Sequence, residues 1–239
     1  MDLKGAHVVL LGGTSGIGFA TAAAAAGRGA EVTIVSSKPA SVERALAALP
    51  DTARGQAVDL GDPARIQALF EGLGEFDHLV YTAGEPLSFM PVAEFDAVKA
   101  RAFFGLRYFS ALAAVHSAAP HIRAGGSITL TTGTASQRPG PGWAVAASIC
   151  GAVEAMTRAL AVELAPIRIN AVRPGVTRSP IWSGLPKSDR EQMYRDVGAA
   201  LPVGRVGEVE DVAEGYLSLI TQPFATGTIL TLDGGALVS

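Results

Sequence analysis

The chain has 239 residues, 49% of them hydrophobic and 17% charged, with a formal net charge of −3. That supplies one large apolar core and argues against a protein that grips a phosphate backbone, so nucleic acid is not an expected partner. One cysteine, Cys150, excludes an internal disulfide and fits a reducing compartment. The chain runs from Met1-Asp2-Leu3-Lys4 toward a strand with no leader-like segment, and apolar residues 20–26 are too few to cross a bilayer. A cytoplasmic protein without membrane contact is expected.

Taken in order, strand-like and helical runs alternate. Val8-Val9-Leu10-Leu11 reads as a strand, Gly12 to Gly18 as a glycine turn, and Phe19 to Gly27 as a helix. Then come Glu31 to Val35 (strand), Ser41 to Leu49 (helix), Gly55 to Val58 (strand), Pro63 to Leu73 (helix) and Asp77 to Tyr81 (strand). Phe95 to Ala119 reads as one long helix, with Phe95, Val98, Ala102, Leu106, Phe109 and Ala113 at helical spacing. Ser127 to Thr131 is a strand, Ile149 to Leu164 a helix and Ile167 to Val172 a strand. Ser188 to Val197 and Glu210 to Ile220 are helices, and Thr228 to Leu232 closes as a strand. Repeated strand–helix units imply an α/β fold, a single Rossmann-like domain over residues 1–239 with about seven parallel strands and helices on both faces. Ligands of such a sheet bind at the carboxyl ends of its strands.

The turn Gly12-Gly13-Thr14-Ser15-Gly16-Ile17-Gly18 sits between the first strand and helix. Glycines permit a sharp turn and close approach of a ligand. The free N–H groups and positive dipole end of the following helix suit a pyrophosphate. The spacing is G-x-x-x-G-x-G, not the G-x-G-x-x-G of the more familiar dinucleotide fingerprint.

Over nearly its whole length the chain resembles the short-chain dehydrogenase/reductase family. The family's T-G-x-x-x-G-I-G stands as Leu11-Gly12-Gly13-Thr14-Ser15-Gly16-Ile17-Gly18, with Leu11 replacing Thr. Asp59-Leu60 matches its adenine-contacting pair, and its N-N-A-G reads Tyr81-Thr82-Ala83-Gly84. Asn170 to Gly175 matches N-x-x-x-P-G, and Leu201-Pro202-Val203-Gly204-Arg205, Glu210-Asp211-Val212-Ala213 and Asp233-Gly234-Gly235 follow its C-terminal pattern. The resemblance implies a nicotinamide dinucleotide held by Gly12, Thr14, Ser15, Gly16, Ile17, Gly18, Asp59, Leu60, Ala83 and Gly84. Pro174, Gly175, Val176 and Thr177 would lie toward the nicotinamide. At the end of the second strand, an acid would favour NAD and its absence with a cation NADP. Ser36, Ser37 and Lys38 stand there, so NADP(H) is expected. Small-molecule substrate and a homodimer or homotetramer are implied in the same way.

The resemblance breaks at the reacting groups. The family uses a Tyr as proton donor or acceptor, a Lys four positions on that lowers the Tyr pKa, a Ser that orients the substrate oxygen, and an Asn on the long helix. Aligned through Gly151 to Leu160, these positions fall on Ala146, Cys150, Gly133 and Ala102. No shift of register repairs this: there is no Tyr between Tyr108 and Tyr194, no Lys between Lys99 and Lys187, and Asn170 is the one asparagine.

Several residues could act instead, each with a plainer structural reading. Thr131, Thr132 and Thr134 flank the Ser position, Ser148 lies between Ala146 and Cys150, and Cys150 is either a thiol in a cavity or a small buried hydrophobe. Arg138 and Trp143 lie in a Gly/Pro-rich loop. Arg101, Arg107, Tyr108 and His116 are on the long helix, where packing between subunits is the plainer role. Glu85 is the acid nearest the expected site. No cluster has metal-ligand spacing. Ser183 to Val197, with Met193 and Tyr194 among charges and Trp182 just before it, is expected to form a substrate lid hinged near Gly184 and Gly198. Two readings stay open: an NADP(H)-dependent oxidoreductase acting on a small carbonyl/alcohol or imine-type substrate by a nonstandard proton transfer, or an NADP(H)-binding sensor or partner subunit without turnover.

Overall fold

The structure is a computed structural model and describes residues 3–239. Met1 and Asp2, where the run-in to the first strand begins, lie outside the described residues. The strands are β1 His7–Leu11, β2 Glu31–Ser36, β3 Arg54–Ala57, β4 Phe76–Tyr81, β5 Ile122–Thr131, β6 Arg168–Pro174 and β7 Ile229–Leu232. All pair in parallel, in the order β3-β2-β1-β4-β5-β6-β7. The helices are α1 Gly16–Ala26, α2 Pro39–Leu46, α3 Pro63–Leu73, α4 Ala97–Phe104, α5 Ser110–Ala118, α6 Ala144–Glu163, α7 Lys187–Ala200 and α8 Val209–Thr221.

The apolar runs that signal strands do so because both sheet faces are covered. Val8 to Leu11 are each fully buried. On one face α1, α2 and α8 bury Ala22, Ala25, Ala45, Tyr216 and Leu217 against Leu10, Ile34 and Val172. On the other, α3 to α6 bury Phe70, Phe103, Ala114, Val153 and Met156 against Leu79, Ile128 and Ile169. α6 has the length and apolar composition of a membrane span, yet Ile149, Val153, Met156 and Leu160 lie in this second core, as in a sheet-covering helix.

Several boundaries differ from the sequence expectation for local reasons. α1 begins at Gly16, inside the glycine turn, because Ser15 takes the extended cap conformation (φ −161°). α2 begins at Pro39, whose fixed φ suits the first helical position. The expected continuous helix from Phe95 to Ala119 is divided. Asp96 caps α4 by accepting from Val98 and Lys99 backbone N–H groups at 2.9 and 3.1 Å, so Phe95 stays outside. A π-helical turn, Gly105–Phe109, then separates α4 from α5. α6 starts at Ala144 rather than Ile149, since Trp143 follows a loop glycine with positive φ and the next residues are good helix formers.

His78 on β4 is buried, with Nδ1 2.9 Å from Ser127 Oγ. Burial lowers its pKa from 6.5 to about 4, against a smaller opposing pull from Asp77. The unfolded chain therefore takes up this proton near pH 6.5 while the fold refuses it until about pH 4. The neutral imidazole's contribution is complete above pH 6.5 and is lost as the pH falls toward 4, by about 3 kcal/mol. In His78→Asn, which keeps a polar atom near Nδ1, urea denaturation should show a shallower loss of stability over that window than the unsubstituted chain. Parallel profiles would refute the assignment.

Candidate active site

The winding of the sheet reverses between β1 and β4, and the carboxyl ends of the strands around that point open into one cleft of about 470 Å³. Its floor begins at the glycine turn. Gly12 has φ +92°, and a Cβ there would stand 2.6 Å from the backbone nitrogen of Ala83. The turn thus lies directly on the chain leaving β4. Gly18 closes the same contact, because a Cβ there would collide with the Gly12 carbonyl and the Thr82 hydroxyl. Ser15 provides no side-chain cap to α1, and the first turn of α1 holds no acid among the described residues. The first turn of α1, at Gly16, Ile17 and Gly18, lines the cleft with no side-chain cap, an arrangement that fits a dinucleotide pyrophosphate.

Along one arm, Gly12, Thr14, Ser15, Gly16, Ile17, Gly18, Ser36, Ser37, Asp59 and Leu60 all line the cleft. Lys38 does not: it is exposed and sits at the N-cap of α2, beyond the lining. Along the other arm are Ala83 and Gly84 after β4, Pro174 at the end of β6, and Gly175, Val176 and Thr177 after it. Gly175 N–H donates to Leu232 at 2.9 Å and Thr177 Oγ1 donates to the Gly175 carbonyl at 3.1 Å, which sets the path of that segment.

Three of the four positions expected to carry reacting groups do converge. Gly133, Ala146 and Cys150 line the same end of the cleft, and a Cβ on Gly133 would come 3.4 Å from Cys150 Sγ. Ala102 is placed elsewhere: it is exposed, and the lining residues of that helical stretch are Phe103, Leu106 and Arg107. Among the alternatives, Thr131, Thr132 and Thr134 line the cleft. Ser148 is exposed and donates to the Ala144 carbonyl at 2.8 Å, one helical turn back. Thr131 Oγ1 donates to the Tyr81 carbonyl at 2.6 Å and lies 2.5 Å from the Tyr216 hydroxyl. Burial pushes the Cys150 thiol up, outweighing its bond with Thr132 and the nearby Arg107, so it stays protonated near neutrality. Arg138 is exposed and bonds the carbonyls of Ala236 and Ser239, tying down the C-terminus. Glu85 borders Gly84 but is not part of the lining; its partner is Arg107, which is.

The segment after Pro174-Gly175 carries a small core of its own. Trp182, Tyr194 and Val206 are buried together, with Leu87, Trp143, Ile181 and Met193 against them. Trp182 Nε1 donates to the Thr177 carbonyl at 3.0 Å. Arg178 lies over the Tyr194 ring at 4.4 Å and pairs with Glu191 at 2.9 Å and Glu208 at 3.4 Å. α7 is thereby fastened to the segment that follows Pro174-Gly175.

The family model described as an SDR-like Rossmann domain matches residues 2–239. The chain belongs to the short-chain dehydrogenase/reductase family. Short-chain dehydrogenase/reductase ATR9 of Stachybotrys chlorohalonatus is 37% identical over 252 residues, covering 98% of each chain. The crystal structure of a small-chain dehydrogenase in complex with NADPH is 35% identical, with a TM-score of 0.86 over 98% of this chain and 99% of that one. The MalC reductase/Diels-Alderase of Malbranchea aurantiaca superposes with a TM-score of 0.92 at 29% identity, over 99% and 98% of the two chains. This short-chain dehydrogenase/reductase is therefore an oxidoreductase by family, and Gly133, Ala146 and Cys150 line one end of its cleft.

Behind that end of the cleft lies a charged group that sequence reasoning missed. Glu154 and Arg173 are both buried, 2.7 Å apart. Glu154 Oε1 also accepts from Ser136 at 2.6 Å, Thr132 at 3.2 Å and Arg173 Nε at 3.0 Å, and Arg173 Nη1 donates to Thr231 at 3.1 Å. Burial acts to raise the Glu154 pKa, but these bonds outweigh it and hold the carboxyl below its ordinary value. The pair ties α6 to β6, β7 and the Thr132–Ser136 turn, and so positions Gly133 and Cys150. The local signal was a lone acid on the buried face of α6, beside Val153 and Met156. Removing one partner strands a buried charge, so Glu154→Ala should lose about 3–5 kcal/mol in chemical denaturation. A loss below about 1 kcal/mol, the scale of an exposed pair, would refute the assignment.

Proposed function

We propose that this short-chain dehydrogenase/reductase passes hydride between NADP(H) and a small carbonyl/alcohol or imine-type substrate, with a proton transfer that does not use the family's Tyr-Lys pair. The observation that carries this reading is the continuity of the cleft. It runs from a glycine turn shaped for a pyrophosphate to an apolar end bounded by Gly133, Ala146 and Cys150. The relative in complex with NADPH supports the choice of cofactor. So does the tip of β2, where Ser36 and Ser37 line the cleft and no acid stands to repel a 2′-phosphate; Lys38 beside them would add a cation at the rim.

In this reading Gly12, Thr14, Ser15, Gly16, Ile17 and Gly18 hold the pyrophosphate. Asp59 and Leu60 border the adenine, and Ala83, Gly84, Pro174, Gly175, Val176 and Thr177 border the nicotinamide side. The cofactor supplies the hydride. The protein's own share is placement and exclusion of water: Trp143, Trp182 and Leu87 wall the far end, and Ser183 to Val197 closes it as a lid. The missing Tyr and Lys favour one competing reading, a protein that binds NADP(H) without turnover.

Exposed apolar side chains support a homo-oligomer, a dimer or tetramer of this chain. Phe109 and Leu112 along α5 and its preceding turn, Val162 on α6 and Phe224 before β7 are exposed. Light scattering at micromolar concentration should give a mass above that of one chain; a monomer would refute it. Calorimetry should find NADPH bound at least about tenfold more tightly than NADH, about 1.4 kcal/mol. Consumption of NADPH should then follow on adding members of a panel of apolar ketones, aldehydes and cyclic imines. Equal affinity for the two cofactors overturns the NADP(H) assignment, and tight NADPH binding without turnover on any member supports the non-catalytic reading.

A further inference from the structure

Apart from the cofactor arm, the walls of the cleft carry apolar side chains and a few hydroxyls, with one cation among them. Among the described residues lining the cleft, the charged side chains are Asp59, which stands by β3, and Arg107, on the far side of β1 and β4. Arg107 comes from the π-helical turn Gly105–Phe109, a form of helix often found at functional sites. With Phe103 and Leu106 it forms the helix face that meets the cleft.

The guanidinium is held in place but not satisfied. Its plane lies against the Phe103 ring, Cζ to centroid 4.6 Å. Nη2 donates to the Glu85 backbone carbonyl. Nε faces Glu85 Oε2 at 3.5 Å, and among the described residues neither of these two buried atoms has a hydrogen-bond partner. A cation 18% exposed that faces one carboxylate across 3.5 Å gains from a further acceptor supplied in the cleft. Room for it exists because residue 84 is glycine: a Cβ there would stand 2.7 Å from Nη1 and 2.9 Å from Nη2. Leu87, Trp143, Ile181 and Trp182 supply the apolar surroundings.

We infer that Arg107 is the substrate-oxygen site: its guanidinium receives the carbonyl or carboxylate oxygen of an otherwise apolar compound whose body lies between Trp143 and Trp182. This rests on the oxidoreductase reading and names its substrate class, an apolar carbonyl compound whose oxygen meets Arg107, where the carboxylate of an anionic analogue would also sit. In reduction, hydride adds to the carbonyl carbon and the π pair of the C=O bond moves onto oxygen. Arg107 donates hydrogen bonds to that oxygen, keeps its own proton, and thereby favours the charge where it gathers. Water delivers the proton that completes the alcohol. The planar fork of an arginine suits two hydrogen bonds to one ligand group, which a lysine ammonium does not reproduce.

The test uses calorimetric titration of the full chain, with and without saturating NADP⁺, by 2-naphthoate and by its neutral counterpart 2-naphthamide. The unsubstituted protein should bind the carboxylate at least about tenfold more tightly, as a charge-assisted hydrogen bond provides. Arg107→Met should abolish that preference while leaving NADP⁺ affinity and melting temperature near those of the unsubstituted protein. Gly84→Ala, whose Cβ displaces the guanidinium, should reduce the preference independently of whether Arg107→Met folds. No preference for the carboxylate in the unsubstituted protein, or a preference that survives in the variants, overturns the inference. Failure to bind NADP(H) overturns the reading beneath it instead, and the titration without NADP⁺ still decides the anion site.

Discussion

The backbone of the glycine turn lies against the backbone of Thr82 and Ala83, with no space for a side chain at Gly12. That contact occurs where the winding of the sheet reverses, between β1 and β4. It brings the start of α1 within reach of the other strand ends, so a ligand on the helix amides extends toward β2 in one direction and toward β5 and β6 in the other. A larger residue at Gly12 or Gly18 would lift α1 off β4 and separate the two arms of the cleft.

At the far end the fold keeps the family's frame and changes its contents. Gly133, Ala146 and Cys150 come together at that end, and burial pushes the Cys150 thiol up, so it stays protonated near neutrality. The frame is kept rigid from behind by Glu154 and Arg173, whose bonds are all made within the core. Charge reaches the cleft by a different route, through Arg107 on the π-helical turn, with Phe103 beneath it and Glu85 beside it. Burial pushes the Arg107 pKa down and Glu85 pulls it back up, as for a cation kept charged inside an apolar wall. In the proposed reading the polar group that meets substrate stands on this turn and not on α6.

Much of this was legible in the sequence. Alternating strand and helix runs, set by burial of both sheet faces, predicted the parallel sheet and nearly every strand. The glycine spacing predicted the turn, and the residues at 36, 37, 59, 60, 83, 84 and 174–177 are on the cleft as the family resemblance implied. The errors arose where local pattern and spatial direction part. Lys38 follows two lining serines but stands at the N-cap position of α2, at the rim and not in the lining. Ser148 lies between two lining residues yet turns back to its own helix. Ala102 matches the family register but faces outward, because positions 103, 106 and 107 share the inner face.

The sequence by itself determined the family, the dinucleotide-type turn and the loss of the Tyr-Lys pair, since each depends on residue type at a fixed spacing. Only the tertiary structure decided which charged side chains stand in and behind the cleft. Arg107 meets Gly84 and Glu85 across more than twenty positions, and Glu154 meets Arg173 across nineteen. Such meetings depend on the phase of a helix through a π-helical turn and on how two strands are brought side by side. No periodicity within either segment records them.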